Sequence, residues 1–254
     1  MQTFLPRRTL SVLLAAAALS FSTGTWAHGN THEESFSAAK HTLERYVYRD
    51  HRQTIYCRAA FDAKKNITLP AGFHTPKHEK RAHRVEWEHV VPAENFGRGF
   101  AAWRTGDALC VSNGKHYKGR KCAEHVSREF RLMQADMYNL FPAIGAVNAI
   151  RSNYNFVAMG VNNRSTFGSC PMLIEDRKAQ PPEYARGIIA RSYLYMQGAY
   201  AQHFKMSPQQ LKQMKAWSKA YPPDAWECER NKRIERLQGN KNPIVIEACR
   251  KAGF

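Results

Sequence analysis

The sequence predicts a helix-rich α+β fold, one domain held together by disulfides. Three observations carry that expectation. Several stretches place apolar residues at helical spacing and open on capping or proline signals. One short stretch, residues 85–91, alternates with a period of two and runs into Pro92, which reads as a strand. The chain has six cysteines, an even number, and no Cys-x-x-Cys pair suggests zinc or redox chemistry. With 43% hydrophobic and 23% charged residues among 254, it can bury a core and is no disordered polyelectrolyte. No internal repeat or low-complexity linker divides it.

The N-terminus reads as an export signal. Arg7 and Arg8 supply its positive start, Leu10 to Phe21 its apolar stretch, and Thr25-Trp26-Ala27 a small-x-small cleavage site. The apolar stretch is shorter than the ~20 residues of a membrane span. Residues 1–27 are thus expected to be removed, leaving 28–254 as the working domain in the periplasm or outside the cell. Their loss takes away two arginines and no acid, lowering the net charge from +17 to +15.

Further along, Ser35 to Arg49 has helical character, with Phe36, Leu43, Tyr46 and Val47 near one stripe. Residues 62–82 are rich in Lys, Pro and Gly and read as irregular surface. In the strand, Val85, Trp87, His89 and Val91 alternate with Glu86, Glu88 and Val90. Residues 97–122 carry too many glycines for a regular element. From Val126, the residues Phe130, Met133, Met137 and Leu140 recur at four and three, a helix face that Pro142 should stop. A further helix is expected from Pro181-Pro182 to Tyr200, and another from Ser207-Pro208. Six cysteines allow 15 complete pairings. Short loops favour Cys110–Cys122 and Cys228–Cys249, which leaves Cys57–Cys170 as a long-range staple.

A charge of this size concerns partners rather than fold, and nucleic acid, acidic glycans and anionic membranes all suit it. Glu88-His89, followed some fifty residues later by Asn139, narrows the choice. Histidine can take a proton from water near neutral pH. A carboxylate and an amide oxygen can hold one hard cation and leave its other positions to water and phosphate. These are the parts of a one-metal phosphodiester hydrolase. A strand bearing Glu88-His89, a long loop and a helix bearing Asn139 have the order of a ββα-metal (His-Me finger) motif.

The runs EWEHVVPAENFG, GRKC, MQADMYNLFPAIGAVNAIRSNYNF, ARGIIARSYLYM and WECERNKRIERLQGNKNP are more specific. In this order they resemble the bacterial endonuclease I family of secreted DNases, over roughly residues 35 to 250. The resemblance implies a mixed α/β fold around the ββα-metal element. It also implies sequence-independent cleavage of DNA, and often RNA, to 5′-phosphate products. Nucleic acid rather than membrane is the expected partner and a monomer the expected state, and the implied cofactor is one Mg²⁺, for which other divalent cations can substitute. Carried onto this chain, the general base falls on His89, the magnesium ligands on Glu88 and Asn139, and the phosphate-contacting arginine on Arg120. Arg98 and Arg104 are the alternatives to Arg120, because the preceding SNGKHYKG loop is longer than in the best-known members. The chain also has Cys57-Arg58-Ala59 where the family pattern is Cys-Gly-Cys, and lacks that cysteine's partner near residue 71.

One geometric demand follows. Successive strand residues point to opposite faces, so Glu88 and His89 can share a site only if the strand ends or twists there. Other readings compete at other residues. His74, His78 and His83 cluster in sequence, but His78 and His83 are five apart, whereas a helical zinc pair needs four. Arg186, Arg191, Lys232, Arg233 and Arg236 can track phosphates or form a solvated face with structural ion pairs. Trp217, Trp226 and Tyr221 read as core rather than base-stacking platforms. The functional alternative is a non-catalytic basic protein that binds extracellular nucleic acid.

Overall fold

The computed structural model describes Met1 and residues 28–160 and 164–254, so the export signal expected over 1–27 lies, Met1 apart, outside the described residues. The chain begins with α1 (Phe36–Thr42), capped by the Ser35 hydroxyl, which accepts the Ala38 N–H at 3.1 Å. It continues as a π-helical turn, Leu43–Val47. Ala39, Leu43 and Val47 face the core, whereas Tyr46 is 47% exposed and leaves the expected stripe. The wider π turn shifts the register and carries Tyr46 outward.

Short elements follow: β1 (Ala60–Phe61) and β2 (Ile67–Thr68), antiparallel, and α2 (Glu79–Ala82). The strand expected before Pro92 is β3 (Val85–His89). After α3 (Ala93–Gly97), the glycine-rich excursion holds α4 (Ala101–Arg104), the β4–β5 hairpin (Val111–Ser112, Lys115–His116) and the start of α5 (Arg120–Val126). Then come α6 (Arg128–Gln134), a 3₁₀ turn (Met137–Asn139), β6 (Leu140–Ile144) and α7 (Gly145–Arg151).

The helix expected to run to Pro142 is therefore shorter, and Asn139 lies on a turn rather than a helix. Phe130, Met133, Met137 and Leu140 are all buried, so the spacing reports burial across three successive elements rather than one helix. Pro142 sits inside β6, opposite Trp87 of β3. Its carbonyl accepts the Ile55 N–H at 2.9 Å. Its ring nitrogen points away from β3, where no ladder bond is lost.

The antiparallel β3–β6 pair runs in register from Val85↔Ile144 to His89↔Leu140, and α7 packs back on β3. All of β6 is buried, which places this unit in the main hydrophobic cluster. A small sheet of β7 (Asn155–Phe156), β9 (Lys178–Gln180) and β8 (Leu173–Glu175) follows, with β9 in the middle. The helices α8 (Glu183–Ala199) and α9 (Pro208–Ala220) stand where the proline signals place them and pack on one another. The chain closes with α10 (Ala225–Gln238) and α11 (Pro243–Ala252).

The three disulfides are those the loop lengths favour. Cys110–Cys122 ties the hairpin to α5, Cys228–Cys249 joins α10 to α11, and Cys57–Cys170 spans 113 residues. The mixture of helices with small sheets and disulfides is the expected α+β class.

Candidate active site

Glu88 and His89, the last two residues of β3, line a cavity of about 310 Å³ together with Arg120 and Asn148. The ladder stops at His89 because the chain turns at Val90-Val91. There the Val90 N–H donates to the Asn139 carbonyl at 3.0 Å, and the Val91 N–H to Asn139 Oδ1 at 2.7 Å. That strand end meets the geometric demand of the adjacent pair.

Glu88 is 2% exposed and held on one oxygen. Tyr56 donates its hydroxyl to Oε1 at 2.8 Å, and Arg151 donates from Nη1 to the same atom at 2.6 Å. Oε2 takes part in neither bond and remains for the cavity. Burial pushes the Glu88 carboxyl up, and the Arg151 guanidinium and Tyr56 hydroxyl pull it back. The net shift is upward, and the Arg151 guanidinium in direct contact is the partner that an ionised Glu88 needs. Arg151 is itself fully buried, and its Nη groups also donate to the carbonyls of His89 and Val90. It thus fixes both the carboxylate and the backbone that carries the imidazole.

His89 Nε2 lies 2.8 Å from the Gln134 carbonyl oxygen. A carbonyl only accepts, so Nε2 carries the proton and Nδ1 keeps its lone pair. Burial, with Arg120, Arg151 and Lys40 nearby, lowers the His89 pKa to about 3 against the Gln134 bond, which raises it. The ring is therefore neutral near pH 7 and able to accept a proton. Phe36 packs on it, with ring centres 4.7 Å apart.

Asn139 and Asn148 separate the two tasks an amide can perform here. Asn139 is fully buried, and its Nδ2 donates to the Val91 carbonyl at 2.9 Å while its Oδ1 accepts from Val91. Both ends of its amide are thus spent on the turn after β3, and it does not line the cavity. Asn148, on α7, does line it. Its Nδ2 donates to Glu86 Oε2 at 3.2 Å, which leaves Oδ1 free of that bond. The asparagine that shares the cavity with Glu88 and His89 is Asn148, three residues before Arg151 and so on the same helical face. The expected helix through Asn139 hid it, because a strand was needed between Asn139 and the true helix.

Arg120 opens α5, and its Nε and Nη2 donate to Gln134 Oε1 at 3.3 and 3.1 Å. Gln134 in turn donates from Nε2 to Glu124 at 2.6 Å. A neutral amide thus aims the guanidinium without cancelling its charge. Arg98 pairs with Glu94, and Arg104 donates to the Arg98 carbonyl at 2.6 Å. Neither lines the cavity, so of the three arginines Arg120 is the one brought to Glu88 and His89.

The sequence profile of endonuclease I matches residues 16–249. The chain belongs to the endonuclease I family. It is 42% identical to an extracellular deoxyribonuclease of Aeromonas hydrophila over 226 residues, 86% of this chain and 92% of that one. A periplasmic deoxyribonuclease of the same organism is 39% identical over 252 residues, 96% and 98% of the two chains. Endonuclease-1 of Buchnera aphidicola subsp. Acyrthosiphon pisum (strain APS) is 34% identical over 224 residues, 86% and 83%. The protein is accordingly an endonuclease, secreted or periplasmic, which sets aside the non-catalytic alternative. Among the described residues no helix is long and apolar enough to cross a membrane.

The remaining candidates of this endonuclease I chain lie elsewhere. His74, His78 and His83 are exposed and line no part of the cavity. Arg191 is buried against Glu227, and Arg233 pairs with Asp50 and Glu229, so both are structural. Trp217 is core, at 7% exposure, whereas Tyr221 and Trp226 are half-buried and line a separate cavity.

Proposed function

We propose that this protein is a magnesium-dependent endonuclease that cleaves DNA, and RNA, without regard to sequence and leaves 5′-phosphates. The observation that supports it best is the convergence of a neutral imidazole, a carboxylate, an amide oxygen and an uncancelled guanidinium on one cavity. The unit that holds the first three, two antiparallel strands and a helix, has the order of a ββα-metal motif with Glu88-His89 on its first strand, and α5 adds the guanidinium of Arg120.

The donor set fits a hard cation. Glu88 Oε2 and Asn148 Oδ1 would hold it, in place of the Asn139 expected from the sequence, and two protein oxygens leave room for water and phosphate. When bound, the ion supplies positive charge where the leaving 3′ oxygen gains negative charge. His89 takes through Nδ1 the proton of a water that attacks phosphorus, with Nε2–H anchored on Gln134. The anchor keeps the ring in the tautomer that leaves Nδ1 basic. Arg120 donates to the non-bridging phosphate oxygens. Contacts of this kind read the backbone and not the bases.

His89→Ala tests the assignment. It removes the proton acceptor and keeps the positive surface, so cleavage of plasmid with magnesium should fall about 10²–10⁴-fold while binding and folding persist. Turnover near the wild-type rate would move the catalytic base to another residue.

A further inference from the structure

Arg58 holds its backbone in the left-handed region, at φ +49°. Glycine adopts that conformation without strain, whereas a long side chain does not. The position lies between Cys57 and Ala59, and this chain keeps a strained arginine where glycine would be free of strain. What the arginine touches gives the reason. Its guanidinium lies 3.9 Å from the ring centre of Tyr184, and it takes part in none of the ion pairs among the described residues. Tyr184 is in turn fixed by its hydroxyl, which donates to the Tyr56 carbonyl at 2.6 Å.

This stack lines a cavity of about 290 Å³ that shares no residue with the catalytic one. A second stack lines it too, His51 on Trp226, with ring centres 3.9 Å apart and planes at 15°. Gln53 and Asp224, both exposed, add amide and carboxylate groups. The volume is near the lower end of the range for small-ligand sites. Two flat stacks welcome a third flat ring whatever its identity, and Arg58 brings unpaired N–H donors for an anion. A nucleobase edge needs both donors and acceptors, which Gln53 and Asp224 provide. An aliphatic ligand would leave the arginine idle, and a bare anion would leave the rings idle.

We propose that this cavity is a second nucleotide-binding site, taking one nucleobase alongside the two stacks and its phosphate on Arg58. It rests on the nuclease reading only for the supply of nucleotides. The ligand is either a free nucleoside monophosphate or a nucleotide within a strand, and the two share the same chemistry. The turn that carries Arg58 also carries Tyr56, whose hydroxyl bonds Glu88, so one short segment touches both cavities.

The test is calorimetric titration of the protein in EDTA with 2′-deoxyadenosine 5′-phosphate and, separately, with an eight-nucleotide oligodeoxyadenylate. Arg58→Gly is the informative variant, because glycine relieves the backbone and should not threaten the fold. It should weaken the monophosphate about tenfold or more, and Tyr184→Leu should do likewise, while His89→Ala binds the monophosphate as wild type does. If only the oligonucleotide binds, and Arg58→Gly weakens it, the ligand is a nucleotide within a strand. Both variants binding both probes like the wild type would overturn the site. Inorganic phosphate binding as tightly as the monophosphate would also overturn it, by reducing it to an anion site. The nuclease reading stands or falls separately, on cleavage by His89→Ala.

Discussion

The amides of Asn139 and Asn148 answer different demands although the same short run of sequence contains both. Asn139 spends its oxygen and its nitrogen on the Val91 backbone, and Asn148 keeps an oxygen for the cavity. Asn148→Ala should therefore raise the magnesium concentration needed for cleavage and leave the melting temperature almost unchanged. Asn139→Ala should do the reverse, costing about 1–3 kcal/mol by leaving a buried N–H and C=O unpaired. Magnesium titration of cleavage, paired with thermal unfolding, separates the two. If Asn148→Ala titrates like the wild type and Asn139→Ala shifts the titration without losing stability, the ligand returns to Asn139. Glu88-His89 was legible at this scale because an ionisable imidazole takes an apolar position in the strand's alternation, next to a carboxylate. Asn148 was not, because an asparagine on a helix looks alike whether it faces a cavity or solvent. Arg151 and Tyr56, which hold Glu88, carry no local signal at all, since their partner lies 63 and 32 residues away.

Among the elements, the sequence revealed the helices that begin with a cap or a proline and misjudged the one that merges into a strand. Pro182 and Ser207 mark true starts because each supplies a fixed dihedral or a side-chain acceptor at a known position. The stretch from Phe130 to Leu140 has no such mark at its end. Burial at spacings of four and three persists through α6, the 3₁₀ turn and the first residue of β6, so periodicity alone extends the helix too far. Cysteines were more legible, since loop length alone favours the two local pairs. The 12-residue separation of Cys110 and Cys122 ties the exposed β4–β5 hairpin to α5, whose first residue is Arg120. Replacing both cysteines by serine should cost about 3 kcal/mol through loop-closure entropy. It should also raise KM more than it lowers kcat, since the β3–β6–α7 unit is untouched while Arg120 loses its anchor. Denaturant unfolding and steady-state kinetics check both parts. A fall in kcat at constant KM would mean that the hairpin acts on His89 instead.

For the whole molecule, a charge of +17 indicated a polyanionic partner before any site was visible, and the structure adds where that charge is useful. A groove lined by Lys40, His41, Lys65 and Arg84 adjoins the catalytic cavity and shares Phe36, Trp87 and Asn148 with it. Lys65 and Arg84 pair with Glu44 and Glu86, so part of the positive field is already balanced. Lys40 sits over Phe36 and Arg120 is held by an amide, and both keep their charge for a phosphate. Binding of duplex DNA to the His89→Ala protein should therefore weaken steeply with salt and respond little to base sequence. Each neutralised phosphate contributes about −0.9 to the slope of log K against log salt. If about six are engaged, raising salt from about 50 to 200 mM costs on the order of a thousandfold in affinity. Removing Lys40 should lower that slope by about one while shifting affinity almost equally for every sequence. A flat salt profile, or strong preference for one short site, would show that this basic groove is not the platform on which the strand lies.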